Sequence, residues 1–266
     1  MTRRSPQGSW LAAFALLVAI FLILPELVVI GVSFNPSTRM VMSFSAATGH
    51  WYVSLWQHQE FFHGFVLSFV LAPPVAVCAL AFGAAAAYGA LRLRPRQKAP
   101  VQALFMAPLV VPAAALAVAL FLLLHTLRLT DTIAGVVIAH ILATVPYCYR
   151  TLLAGLQSLD RTLDEAAQSL GASRFAVVRR VTLPQMRPAL AASALFALIV
   201  SIDEFTLTFF VAGRSVETIP LAIFNNTQYG MDPTVAAAST VLIVISGAVI
   251  ILLEKLVGLK TAYAVR

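Results

Sequence analysis

The chain has 266 residues, of which 60% are hydrophobic and 11% charged, with a mean hydropathy of +0.89. An ordinary soluble domain carries about 25% charged residues, so this composition excludes that class and makes lipid the solvent for most of the chain. The formal charge of +7 would suit a nucleic acid only if the basic residues gathered on one soluble face; they sit instead between apolar runs, so no nucleic-acid partner is expected.

A bilayer-spanning helix needs about 20 mainly apolar residues, and irregular backbone facing lipid is excluded from the hydrocarbon core. Six runs meet that length: Trp10 to Phe34, His63 to Leu91, Ala99 to Leu124, Thr132 to Tyr149, Pro188 to Ala212 and Thr234 to Leu253. They predict an all-α protein with one transmembrane domain over residues 1–266 and a long loop at 150–187.

The first run follows Arg3 and Arg4 as a secretory signal would, but it is too long for a signal core and more spans follow, so it reads as a retained helix. It contains Glu26 after Pro25, which reads as a satisfied interhelical hydrogen-bonding group, with a role toward substrate as the alternative. The next loop carries Trp51, Tyr52 and Trp56, and the last outer loop carries Tyr229. Such aromatics commonly form an interfacial belt; a docking surface for an external partner is the functional alternative. The third run holds Pro108 and Pro112, each of which removes a helical hydrogen bond and predicts a kink. His140 sits in the otherwise apolar fourth run, where an interhelical hydrogen bond competes with a role toward substrate. Cys78 and Cys148 fall in or beside apolar runs and read as small buried hydrophobes. No CxxC or HExxH spacing occurs, so no metal site is expected.

In the fifth run, Ser201-Ile202-Asp203-Glu204-Phe205-Thr206-Leu207-Thr208 places two acids and several hydroxyls inside an apolar segment. Ionisable groups there are costly and usually face a bundle interior or a wet cavity. Asp203, Glu204, Thr206, Thr208 and His140 are therefore the candidate translocation residues, with a structural role as the alternative.

Lysine and arginine accumulate in cytoplasmic loops. Here 15 of the 18 lie before the first run, between runs two and three, between runs four and five, or after the last; Arg39, Arg128 and Arg214 are the exceptions. Both termini are thus expected in the cytoplasm, which requires an even number of spans.

The long loop, Leu159 to Pro188, reads as two short helices meeting at a turn. Thr162 and Glu165 form a possible capping box. Leu159, Leu163, Ala166 or Ala167, and Leu170 recur at helical spacing. Gly171 is a natural stop, Ser173 can cap a second helix, and Phe175, Val178 and Val181 continue an apolar stripe to Pro184, which is expected to end it.

Glu165-Ala166-Ala167, three residues, Gly171, nine residues, Val181, one residue and Leu183-Pro184 resembles the EAA signature of binding-protein-dependent ABC importer permeases. Only Val181 departs, standing where isoleucine is usual. The resemblance implies the type I ABC importer permease fold and a loop that seats on an ATPase subunit. Carried over by position, Glu165, Ala166, Ala167, Gly171, Leu183 and Pro184 are the expected ATPase-coupling residues, joined by Val181 at the isoleucine position and by Arg174, which with Glu165 offers charge at the contact. For Gly171, Leu183 and Pro184 a role in the loop's own fold is the alternative. It also implies two cytoplasmic ATPase subunits, a second permease either homologous or identical, and an extracytoplasmic solute-binding protein, in the bacterial inner membrane. The chain has no GxxxxGK[ST] loop, so no enzyme activity and no bound cofactor are expected, with ATP used by the partner. The DEF-TLTFF run, Thr218-Ile219-Pro220-Leu221, and His140 with Pro146-Tyr147 resemble the spermidine/putrescine permease branch, which implies a polyamine or similar small solute.

A secondary transporter would share the spans and buried acids but has no use for an EAA loop. An intramembrane enzyme could be drawn from Ser201, His140 and Asp203, yet no nucleophile motif surrounds them.

Overall fold

The computed structural model describes residues 6–38, 47–213, 215–229 and 232–263, and among them it holds helices and no strand. Arg3, Arg4, Arg39, Arg214 and Arg266, which bear on the expected orientation, lie outside the described residues, as do the side chains of Arg161, Tyr229 and Lys260.

The helices are α1 Pro6–Ser33, α2 His50–Gln57, α3 Gln59–Arg92, α4 Pro95–Val110, α5 Ala113–Thr126, α6 Ile133–Gln157, α7 Arg161–Ser169, α8 Arg174–Val177, α9 Leu183–Gln185, α10 Arg187–Asp203, α11 Thr206–Val211, α12 Ile219–Tyr229 and α13 Pro233–Tyr263, with a π-helical segment at Val178–Thr182. Parts of α1, α3, α6 and α13 are each long and apolar enough to cross a bilayer unbroken. Two further candidates are bent pairs. Between α4 and α5 the axis turns by 101°, and between Arg174–Gln185 and α10 by 70°.

Two of the expected runs are therefore not single helices. The third breaks at Val111 and Pro112, both of extended backbone; Pro112 has no N–H to continue the ladder. Pro108, also expected to kink its helix, is carried inside α4. The fifth breaks at Glu204 and Phe205, between α10 and α11.

The chain divides into two compact units, Met1–Phe62 with Ile223–Ile245, and His63–Ala222 with Ser246–Arg266. In the first, Trp51 is buried and its indole Nε1 donates to the Asn35 carbonyl at 2.6 Å. Tyr52 pairs its hydroxyl with Ser33 Oγ at 2.7 Å and its ring with Phe34. These two aromatics pin α2 to the end of α1, which corrects the interfacial-belt reading for them. Trp56 is exposed, as a belt residue would be.

In the second unit, small residues bring helices together. Ala76, Ala79, Gly83, Ala87 and Ala90 form one buried stripe of α3. A Cβ on Gly83 would lie 2.7 Å from Cys148 Cβ on α6, closer than carbon atoms pack. Lipid tails are as apolar as side chains, so helices gain stability in a membrane from such close contact rather than from water exclusion. Around this crossing lie Tyr149, Leu152, Met186 and Ala197, with Phe105 of α4 stacked on Tyr149 at 5.0 Å. A second cluster joins Leu120 and Leu124 of α5, Val136 and Ala139 of α6, and Leu207 and Val211 of α11.

Candidate coupling loop and translocation site

The loop expected at 150–187 is helical over most of its length. The helix α7 starts one residue before Thr162: Asp160 is its N-cap, and the carboxylate accepts the Thr162 N–H at 2.9 Å. That bond holds the Asp160 carboxyl below the usual carboxylate range. The expected Thr162–Glu165 capping box is thus corrected, because Thr162 is already inside the first turn. The helix closes with two bonds, Gly171 N–H to Gln168 C=O at 2.9 Å and Ala172 N–H to Ala167 C=O at 3.0 Å. This is a Schellman ending, and it needs the left-handed φ of +86° that Gly171 adopts. Ser173 then caps α8, its Oγ accepting the Ala176 N–H at 3.3 Å.

Pro184 does not end the second helix. The π-helical turn at Val178–Thr182 lets Leu183 N–H reach the Val178 carbonyl, and helix continues through Pro184 to Gln185. The chain bends only at Met186. Thr182 Oγ1 donates to Asp164 Oδ1 at 3.3 Å and so ties the π segment back to α7.

Glu165 and Arg174 line one cleft of about 410 Å³ with Arg92, Asp164 and Gln168, and make no bond to each other. Ala166 is exposed and Ala167 half-buried. Leu170 is 89% exposed, Phe175 74% and Leu163 50%. The described part of this chain therefore leaves uncovered most of the apolar face read from the sequence, while Val177, between Phe175 and Val178, is buried. Val181 and Pro184 are half-buried and Leu183 is exposed.

The five candidate translocation residues divide into distinct roles. His140 of α6 is 1% exposed. One ring nitrogen, Nδ1, bonds Ser201 Oγ at 3.0 Å and the other, Nε2, bonds Thr208 Oγ1 at 2.7 Å. Ser201 is in the last turn of α10 and Thr208 in the first turn of α11, so one imidazole spans the break in the fifth run. Thr208 Oγ1 also donates to the Glu204 carbonyl at 2.9 Å, and Glu204 Oε1 accepts the Leu207 N–H at 3.0 Å. The Glu204 side chain thus satisfies a donor that the start of α11 leaves free. Thr206 is half-buried at that same start.

Asp203 faces elsewhere. It is exposed, and its Oδ2 accepts from Ser246 Oγ of α13 at 3.1 Å. Glu204 instead lines a cleft of about 370 Å³ with Pro108, Val111, Pro112, Tyr147 and Leu207. The Ser201, His140 and Asp203 set does not assemble as a catalytic triad, since His140 bonds Ser201 and Thr208 rather than Asp203. Glu26, read as a satisfied interhelical group, is exposed on α1. Among the described residues no cluster of His, Cys, Asp and Glu could hold a metal. Sequence reasoning missed Ser246, which is one serine in an apolar run, and the pairing of the two helix breaks.

Residues 79–262 match the family described as binding-protein-dependent transport system inner membrane component. Among curated relatives, the chain is 29% identical over 240 residues to the spermidine/putrescine transport system permease protein PotC of Haemophilus influenzae, covering 90% of this chain and 93% of the relative. It is likewise 29% identical over 247 residues to the putrescine transport system permease protein PotI of Escherichia coli, covering 90% and 86%. Among solved structures, it superposes on a chain of a bacterial ABC transporter involved in import of the acidic polysaccharide alginate with a TM-score of 0.71 at 17% identity, covering 96% of this chain and 98% of that one. A chain from an amino acid ABC transporter superposes with a TM-score of 0.58 at 18% identity, covering 77% and 95%.

Proposed function

The chain belongs to the family of binding-protein-dependent transport system inner membrane components and is an ABC importer permease subunit of the bacterial inner membrane, and on that premise we propose that it forms half of a translocation pathway for polyamines. The observation that carries the transport mechanism is the exposed apolar face of α7 and α8, with Leu170 and Phe175 uncovered beside the Gly171 turn. Large apolar residues kept in water beside a rigid turn suit a protein partner. Two cytoplasmic ATPase subunits are that partner and its symmetry mate, one on each of two permeases. In this reading ATP is held by the partner rather than by this chain.

ATP binding closes the ATPases and moves α7 with the segment it carries. Ser173, the Asp164–Thr182 bond and the continuous helix to Gln185 form a stiff connection from α7 to the start of α10. Motion of the loop therefore reaches α10, whose far end is the break at Glu204. The path across the bilayer uses six spans with both termini in the cytoplasm, and an extracytoplasmic binding protein delivers the solute. Glu165, Ala166, Ala167, Gly171, Arg174, Val181, Leu183 and Pro184 form the coupling loop.

Support for a polyamine comes from the relatives, which are spermidine/putrescine and putrescine permeases, and from the acid Glu204, which lines the cleft at the break in the fifth run. The test is uptake of labelled putrescine and spermidine by the assembled transporter in liposomes with its binding protein. ATP-dependent accumulation of either upholds the reading. Accumulation of neither contradicts the polyamine assignment.

A further inference from the structure

Both interrupted runs open onto the same cleft. Pro112 has no N–H, so the Pro108 carbonyl loses the donor that would follow it in a continuous helix, and α4 ends with its carbonyls at the break. A helix C-terminus carries about half a negative charge. The cleft of about 370 Å³ runs from this end, past Tyr147 of α6, to the gap between α10 and α11. The first turn of α5 also brings N–H groups to the break, but the one carboxyl group in the lining is that of Glu204. An ionised carboxylate has about four acceptor sites, and the Leu207 N–H takes one of them. Among the described residues the Tyr147 hydroxyl has no hydrogen-bond partner, and Tyr147 lines the cleft with an aromatic ring, a group whose face attracts cations. The remaining lining is Leu, Val, Pro and Ala, apolar surface suited to methylene groups.

We infer that this cleft takes the primary ammonium end of an aminoalkyl solute with Glu204 as its counter-ion, while the neighbouring Asp203 holds α10 to α13 through Ser246. The two adjacent acids thus divide recognition from positioning. The solute class rests on the polyamine reading above; the cleft's preference for an alkylammonium does not.

The test uses the full transporter reconstituted with its ATPases and binding protein. Glu204→Gln is expected to lower putrescine uptake at low concentration by about tenfold or more, through a raised KM, as loss of a charge-assisted bond requires. Glu204→Asp should restore part of it. Asp203→Asn should behave as Ser246→Ala does, lowering the thermal midpoint with the KM for putrescine held. In a thermal-shift assay putrescine should stabilise the wild type more than 1,4-butanediol, and Glu204→Gln should abolish the difference.

Wild-type uptake by Glu204→Gln, or equal stabilisation by the diamine and the diol, would overturn the assignment. Should Glu204→Gln fail to assemble, the wild-type diamine and diol comparison decides alone. A wild type that moves neither putrescine nor spermidine contradicts the polyamine reading separately; butylamine then replaces putrescine in the shift assay, and stabilisation by butylamine but not by 1-butanol still upholds the cleft.

Discussion

His140 Nε2 lies 2.7 Å from Thr208 Oγ1, and through this contact the continuous helix α6 holds the restart of a broken one. The other ring nitrogen reaches Ser201 on the near side of the break. A broken helix in lipid exposes backbone groups that water cannot satisfy, so such a break persists only where the protein supplies partners. The Thr208 hydroxyl and the Glu204 carboxylate supply them here, on the Glu204 carbonyl and the Leu207 N–H, and His140 holds Thr208 in place.

Replacing His140 with Ala should therefore lower stability by about 1–3 kcal/mol, because two buried hydroxyls lose a partner. The thermal midpoint of the purified transporter in detergent checks this. His140→Gln, which keeps one donor and one acceptor, should recover part of the loss. An unchanged midpoint in His140→Ala would show that the break is held by other contacts.

Gly171 is tested by two variants. Gly171→Ala forces a Cβ into a φ of +86°, a strain of about 1 kcal/mol, and should weaken stimulation of ATP hydrolysis modestly. Nothing lies within 4 Å of the Cβ that would be added, so the cost is in the backbone alone. Asn, which tolerates the left-handed region, should restore stimulation.

Leu170→Ser and Phe175→Ser should leave the chain's own folding unchanged, since these side chains are 89% and 74% exposed. Both should reduce the ATPase subunit recovered with the permease. The two measurements are detergent size-exclusion of the variant and quantitation of the co-purified ATPase; loss of folding without loss of partner would reverse the account of this face.

Asp160 gives a pH dependence of known sign. Its bond to the Thr162 N–H lowers the carboxyl pKa in the folded chain. Its contribution to α7 is complete above the ordinary carboxylate pKa and fades as pH falls through the lowered value. Protection of the Thr162 amide from hydrogen exchange, corrected for the intrinsic rate, should fall over that acidic window, and Asp160→Ala should remove the dependence.

Packing at the α3–α6 crossing should tolerate little. Gly83→Val places methyls where even a Cβ would be 2.7 Å from Cys148, and such overpacking costs about 1–3 kcal/mol. Reduced yield of assembled transporter is the expected result, partly relieved by Cys148→Gly.

Hydropathy located the unbroken helices because length and apolar content are their physical requirement. The coupling turn was equally readable, since a left-handed residue after a helix strongly favours glycine and Ser173 is a strong cap. The breaks were not. Pro108 and Pro112 look alike in sequence, yet only Pro112 coincides with a turn of 101°. The interruption at Glu204 lies in a run that stays apolar on both sides, and the bonds that bridge it come from one residue, His140, 61 and 68 positions before its partners Ser201 and Thr208. Local pattern carries no record of such partners. Asp160 and Thr162 are both good caps two residues apart, and the Glu165 that follows Thr162 points to the wrong one; the π-helical turn that carries the helix past Pro184 has no composition of its own.

The most direct measurement of the central claim is co-purification of the tagged permease from its native membrane in mild detergent, with ATPase activity assayed on the eluate, for the wild type and Gly171→Asp. The account predicts an ATPase subunit and hydrolysis with the wild type, and loss of both in the variant while the permease itself remains in the membrane. A wild-type permease that elutes without any ATPase, or a Gly171→Asp variant that retains it and transports, would contradict the account.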